Sequence, residues 1–144
     1  MTMPLPQKWP RDMVSPDALM DQARGARLHA YAPYSRFPVG AALLLTDGTV
    51  VLGCNVENAS YGLTSCAERN AVGQMVIRGF LRPWAVAVAG PEGEPCLPCG
   101  ACRQVLSEFN PELLVVVEHR DRLEVISLED LLPRSFGPRD LEAH

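Results

Sequence analysis

Nothing in this chain of 144 residues approaches the length of a membrane span. No apolar leader core follows the first methionine, and Met1 to Pro10 is polar and broken by prolines. No run of Lys or Arg builds the clustered positive charge on which nucleic-acid and anionic-membrane surfaces depend, and the net charge is −4. Repeats and low-complexity segments are missing as well. These absences predict a soluble, cytoplasmic protein with no nucleic-acid and no membrane partner. Cysteine is present, but five is an odd number and fits a disulfide framework poorly. In a protein that is not exported, cysteines point instead to metal binding or catalysis.

What is there is an ordinary globular balance, 47% apolar and 21% charged, in a chain long enough for one real core. Residues 1–14 carry Pro4, Pro6 and Pro10 and are expected to form an irregular arm. Ser15-Pro16-Asp17 reads as a helix start, with Ser as cap and Pro at the first helical position. Leu19, Ala23, Ala26 and Ala30 then recur at helical spacing, predicting a helix to about Tyr31. Val39 to Leu45 and Val50 to Asn55 are apolar runs joined by Thr46-Asp47-Gly48-Thr49, a strong hairpin signal.

A second helix is expected from about Ser65 to Arg78, then a buried strand over Trp84 to Ala89. A third helix follows from Cys99 to Glu108, strands over Leu113 to Glu118 and Leu123 to Ser127, and a short closing helix over Leu128 to Leu132. The order α-β-β-α-β-α-β-β implies a mixed α/β fold with a five-stranded sheet between helices. The last residues, 137–144, read as a polar tail.

Two segments carry the chemistry. Cys66-Ala67-Glu68 and Pro98-Cys99-Gly100-Ala101-Cys102 offer three thiolates and one carboxylate. Three protein ligands with a place left for water is the pattern of a catalytic zinc site, whereas structural sites are closed by four. Cys99 and Cys102 stand three apart on one predicted helix, so their sulfurs face the same way. Cys66 opens another helix, where the partial positive charge favours the thiolate. Three thiolates leave zinc with a net charge of minus one, and Arg69 is placed to donate hydrogen bonds to the sulfurs and withdraw that charge.

Competing readings exist for these cysteines. Cys96-Leu97-Pro98-Cys99 is a C-x-x-C, the spacing of a redox pair. Cys96, Cys99 and Cys102 resemble part of an iron–sulfur run, although position 106 is Leu where a fourth cysteine would be needed. A closed Cys66/Cys96/Cys99/Cys102 zinc site is the strongest competitor. We favour the open three-cysteine site and read Cys96 and Cys54 as spectators. His29, His119 and His144 lie outside every motif.

Cys66-Ala67-Glu68-Arg69-Asn70 with Pro98-Cys99-Gly100-Ala101-Cys102-Arg103-Gln104-Val105-Leu106 resembles the small homotetrameric cytidine deaminases. The likeness extends to Tyr34-Ser35-Arg36-Phe37-Pro38-Val39-Gly40-Ala41 and to Gly53-Cys54-Asn55-Val56-Glu57-Asn58-Ala59, and covers roughly residues 16–136. It implies a three-layer α/β/α catalytic domain over 15–136, with one Zn2+ per subunit on Cys66, Cys99 and Cys102. It further implies hydrolytic deamination of cytidine and 2′-deoxycytidine to uridine and 2′-deoxyuridine in pyrimidine salvage, with Glu68 as the proton shuttle.

Asn55 and Glu57, two apart at a strand end, correspond to positions that read the ribose 3′-hydroxyl. Phe37 corresponds to an aromatic packed on the pyrimidine, and the Ala67 backbone to a group that meets the pyrimidine carbonyl. Tyr61 and Asn58–Ser60 resemble a segment that reaches a neighbouring subunit's site, which implies active sites shared across a homotetramer. Phe136 resembles, more loosely, an aromatic that closes over the site, since Arg134-Ser135 departs from the usual small residues. A blasticidin-type deaminase, a nucleotide or nucleic-acid deaminase, and a non-catalytic zinc scaffold are the rival functions. The Asn55-Val56-Glu57-Asn58 motif speaks for a nucleoside.

Overall fold

The computed structural model describes residues 8–92 and 94–142. Helix α1 (Pro16–Arg27) begins as its sequence dictates, with the Ser15 hydroxyl accepting from the Ala18 N–H and Pro16 at the first position. It ends sooner than the Ala30 periodicity predicts. Tyr31 instead donates its N–H to the Asn55 carbonyl and accepts from the Glu57 N–H, which draws residues 28–31 out of the helix. Strands β1 (Gly40–Leu45) and β2 (Val50–Cys54) form the expected hairpin. Gly48 sits at φ +88 in its turn, a left-handed conformation that favours glycine.

Helix α2 (Ala67–Ile77) and helix α3 (Gly100–Phe109) each start one residue after a cysteine, so Cys66 and Cys99 are the helix caps. Cys99 therefore flanks its helix rather than lying inside it. Strands β3 (Pro83–Ala89), β4 (Leu114–His119) and β5 (Arg122–Ser127) and the short α4 (Leu128–Leu131) lie within a residue or two of expectation. Short 3₁₀ turns at Tyr61–Leu63 and Pro138–Asp140 carry no periodicity that a sequence reading could use.

The sheet order is β2-β1-β3-β4-β5, with β3 and β4 parallel and every other pair antiparallel. This is the predicted five-stranded mixed sheet. Alternate residues of the central strands face opposite sides, as the strand period of two requires. Ala41, Leu43, Val86, Val88, Val115 and Val117 join Ala71, Met75 and Leu106 from α2 and α3. Ala42, Leu44, Ala85, Ala87, Leu114 and Val116 join Leu19, Met20 and Ala23 from α1. Helices on both faces complete three layers.

Residues 1–7 of the expected irregular arm lie outside the described residues, as do Ala143 and His144 of the tail. Residues 8–14 are irregular, with Trp9, Met13 and Val14 packed on the core while Lys8, Arg11 and Asp12 are exposed. Trp9 is buried with α1 against the sheet, and its indole N–H donates to the Val14 carbonyl at 3.0 Å. Burying an aromatic of this size contributes more than any other described residue of the arm.

Glu118, near the end of β4 and paired there with Leu123 of β5, is buried and held by Arg24 at 2.6 Å and Arg27 at 4.0 Å. Arg27 also donates to the Gly90 carbonyl. Removing one partner from a buried charge of this kind costs about 3–5 kcal/mol. The network ties the C-terminal end of α1 to the strand ends from which the loop 90–99 departs.

Candidate active site and metal centre

The N-termini of α2 and α3 converge at one edge of the sheet. Neither capping cysteine uses its side chain to cap its own helix, so both sulfurs are free to turn toward each other. Cys102, one turn into α3, supplies the third. The three sulfurs lie within 4.8 Å of one another, and Cys99 Sγ is 3.5 Å from Cys102 Sγ. Among the described residues this is the one group of three such ligands. Cys96 does not belong to it, so the closed four-cysteine site is not formed. Three sulfurs suit a soft, tetrahedral ion such as zinc, with one position left to a non-protein ligand.

Arg69 stands where the charge argument places it. Its Nη2 lies 3.5 Å from Cys66 Sγ and 3.4 Å from the Thr64 carbonyl. Its Nε is buried with no hydrogen-bond partner, and an electron-rich sulfur cluster at this spot would satisfy it. The thiols respond to their surroundings in different ways. Burial raises Cys99, but hydrogen bonds from the Cys102 N–H and from the thiols of Cys102 and Cys66 outweigh it, and the net shift is downward. Burial, with Glu68 and Cys66 nearby, pushes Cys102 well up. Cys96 is pushed up to about 11, chiefly by burial, and stays a neutral thiol at physiological pH.

Glu68 is the second residue of α2 and one of the few buried carboxylates, 4% exposed. Burial raises its pKa, against the opposing pull of its own N–H, Cys102 and Arg69. A carboxyl raised in this way suits a group that must both take and return a proton near neutral pH.

A cavity of about 360 Å³ opens in front of these residues. Its walls include Phe37, Asn55, Glu57, Cys66, Ala67, Glu68 and Cys99, so most of the residues singled out in the sequence meet around one cavity, and Tyr61 is not among them. The volume lies in the range of small-molecule sites. Phe37 is 45% exposed at this wall, whereas Ala67 is fully buried.

Asn55 is more committed than the sequence suggests. Its Oδ1 accepts from the Val39 N–H at 2.9 Å, and its Nδ2 donates to the Phe37 carbonyl at 2.9 Å. One amide hydrogen and one lone pair remain for a ligand. Glu57 is held by the N–H groups of Tyr34 and Ser35 at 2.9 and 3.1 Å and by the Ser35 hydroxyl. The Ser35 hydroxyl is the main reason its pKa lies below the usual carboxylate value.

Tyr61 lies outside the cavity in its own chain. It lines an adjoining pocket with Tyr34, Ser35, Glu57 and Thr64, its ring centroid 5.8 Å from that of Tyr34. Phe136 is exposed, its carbonyl accepting from Gln104 Nε2 at 2.8 Å. Sequence reasoning missed Ser35, Val39, Thr64, Cys96 and Leu97 as cavity wall. Ser35 and Val39 offered a signal, since both stand within two residues of Phe37.

The profile of the family described as "Cytidine and deoxycytidylate deaminase zinc-binding region" matches residues 13–118. A cytidine deaminase of Sporosarcina psychrophila is 44% identical over 127 residues, covering 87% of this chain and 93% of the relative. One from Mycobacterium tuberculosis is 49% identical over 131 residues, covering 88% and 96%. Among solved structures, the cytidine deaminase of Burkholderia pseudomallei superposes with a TM-score of 0.81 at 49% identity, covering 85% of this chain and 100% of that one. With this likeness spanning nearly the whole folded unit, and the sulfur cluster formed as described, the chain belongs to the cytidine and deoxycytidylate deaminase family.

Proposed function

We propose that this chain catalyses the zinc-dependent hydrolytic deamination of cytidine and 2′-deoxycytidine within a catalytic domain of residues 15–136. The observation that carries the reading is the buried Glu68 beside the Cys66–Cys99–Cys102 cluster, at the floor of a nucleoside-sized cavity. Cys66, Cys99 and Cys102 would hold one Zn2+ per subunit. When bound, the ion supplies a Lewis acid that brings the pKa of water toward about 7.

The chain's own residues do the rest. Glu68 takes a proton from the attacking water and delivers it to pyrimidine N3. As the new C–O bond at C4 becomes a carbonyl, Glu68 carries its proton to the amino nitrogen, and ammonia leaves. Phe37 packs on the ring, and the Ala67 backbone meets the pyrimidine carbonyl. The Glu57 carboxylate and the spare amide hydrogen of Asn55 take the ribose 3′-hydroxyl. A sugar read mainly there admits both nucleosides, because neither contact requires the 2′-hydroxyl.

The exposed apolar side chains of Tyr31, Val56, Tyr61, Leu63 and Phe136 support a homotetramer in which Tyr61 of one subunit completes a neighbour's site. Cytoplasmic pyrimidine salvage is the setting this chemistry fits. The test is the loss of the cytosine absorbance band when the purified protein meets cytidine or deoxycytidine, with Glu68→Gln as control. Loss in wild type alone supports the reading. An inert, folded, zinc-loaded wild type rejects it.

A further inference from the structure

We propose that Asn70 is a positioning residue that locks the sugar-reading end of β2 to the start of the helix bearing Cys66 and Glu68. The inference rests on the function proposed above. Asn70 stands one turn into α2, its N–H donating to the Cys66 carbonyl at 3.1 Å. Its side-chain Nδ2 donates to the Cys54 carbonyl at 2.7 Å and to the Ser65 carbonyl at 3.5 Å. Its Oδ1 accepts from the Ser65 hydroxyl at 2.7 Å. One amide group therefore spans the two halves of the site at adjacent residues, since Cys54 precedes Asn55 and Ser65 precedes Cys66.

Two further features make the joint rigid. Val56 and Ser65 exchange a pair of backbone hydrogen bonds, each 2.9 Å. Beneath them Gly53 lies so close to α2 that an added Cβ would meet the Ala71 nitrogen at 2.6 Å and collide with the Ala67 carbonyl. Strand end and helix start thus approach to near backbone contact, and Asn70 fixes their register there. The primary amide supplies both the donor and the acceptor this joint uses. Alanine removes both, and aspartate removes the donor.

Asn70 does not line the cavity, so it acts through its neighbours. Its task is to hold the ribose contacts of Asn55 and Glu57 at a fixed offset from Glu68. Energy gained on the sugar then raises the rate at C4, because a bound but misaligned ring gains nothing in the transition state.

The experiment compares cytidine with 2′,3′-dideoxycytidine, which lacks the hydroxyl that Asn55 and Glu57 read. In wild type kcat/KM should favour cytidine. Asn70→Ala should lower cytidine turnover more than dideoxycytidine turnover and cut that preference about tenfold, a coupling typical of groups in one network. Zinc content should not change. Ser65→Ala, which deletes one hydroxyl and keeps the bond to Cys54, should move the preference the same way by less.

A role confined to stability lowers both substrates alike. If wild type discriminates and both variants keep its ratio, the clamp is overturned while the proposed function stands. A wild type that uses the two nucleosides equally overturns the sugar contact through which the clamp acts. A wild type inert toward both sinks the proposed function, and the clamp with it.

Discussion

On one face of the sheet, Ala42, Leu44, Ala87 and Val116 meet α1 and Trp9; on the other, Ala41, Leu43, Val88 and Val117 meet α2 and α3. The two layers are built from the same kinds of side chain by the same alternation. Their differences lie at the edge where β1 begins and β3 and β4 end. There α1 presents its C-terminal end, with Arg24 and Arg27 gathered around Glu118. On the opposite face α2 and α3 present their N-termini, with three cysteine sulfurs in front of them. Helix polarity thus sorts the side chains, cations to the negative end of α1 and cysteine sulfurs to the positive ends of α2 and α3. One face closes an ion network for structure, and the other leaves its polar groups facing a cavity.

Removing the metal should separate the faces most sharply. Prolonged chelation is expected to abolish deamination while leaving the far-ultraviolet circular dichroism largely intact, because neither apolar layer depends on the sulfur cluster. Loss of the folded signal together with activity would show that the site face needs its metal to fold. Glu68→Gln comes next, with kcat reduced about 10²- to 10⁴-fold, the usual contribution of a general acid–base, and an unchanged melting temperature.

Trp9→Ala tests the other face by the opposite signature. It should cost about 3–5 kcal/mol of stability in denaturant titration, as for other large-to-small core changes, with kcat preserved well below the melting transition. A kcat that falls along with stability would mean the two layers are coupled more tightly than their separate clusters imply.

Arg69→Ala should weaken zinc retention or turnover about 10- to 100-fold, the usual cost of losing a group that supports the ligands. Unchanged zinc content and rate would remove Arg69 from the mechanism.

The smallest effect is expected at Ser35. Its hydroxyl is the leading cause of the low Glu57 pKa, and a carboxylate depressed in the folded state stabilises it above the ordinary pKa. That contribution is lost as the pH falls through the depressed value. Ser35→Ala should move Glu57 back up, so the acidic rise in KM for cytidine should begin at a higher pH than in wild type.

Much of this was legible in the chain itself. Ser15-Pro16, Asp47-Gly48 and the alternating strands act through neighbours a few residues away, and they fixed element types and the β1–β2 hairpin. The cysteine segments pointed to the three sulfurs that cluster, and the spacing of Cys66 to Glu68 put a carboxylate beside them. Other features were hidden. The early end of α1 follows from Tyr31 pairing with Asn55 and Glu57, partners more than twenty residues downstream. Asn55 looked like a free sugar ligand, yet half its hydrogen-bonding capacity is spent on Phe37 and Val39.

By itself the sequence determined the elements and marked Cys66, Cys99, Cys102 and Glu68 as candidates for the site, because caps, turns and short spacings are decided by local backbone geometry. Only the tertiary structure decided that two helix N-termini meet at one sheet edge and that Cys96 stands apart from the sulfur cluster. It alone seated Trp9 under α1 and set Asn70 across the joint between β2 and α2. Those outcomes depend on the side-chain packing of segments distant in the chain, and no local pattern encodes the distance between them.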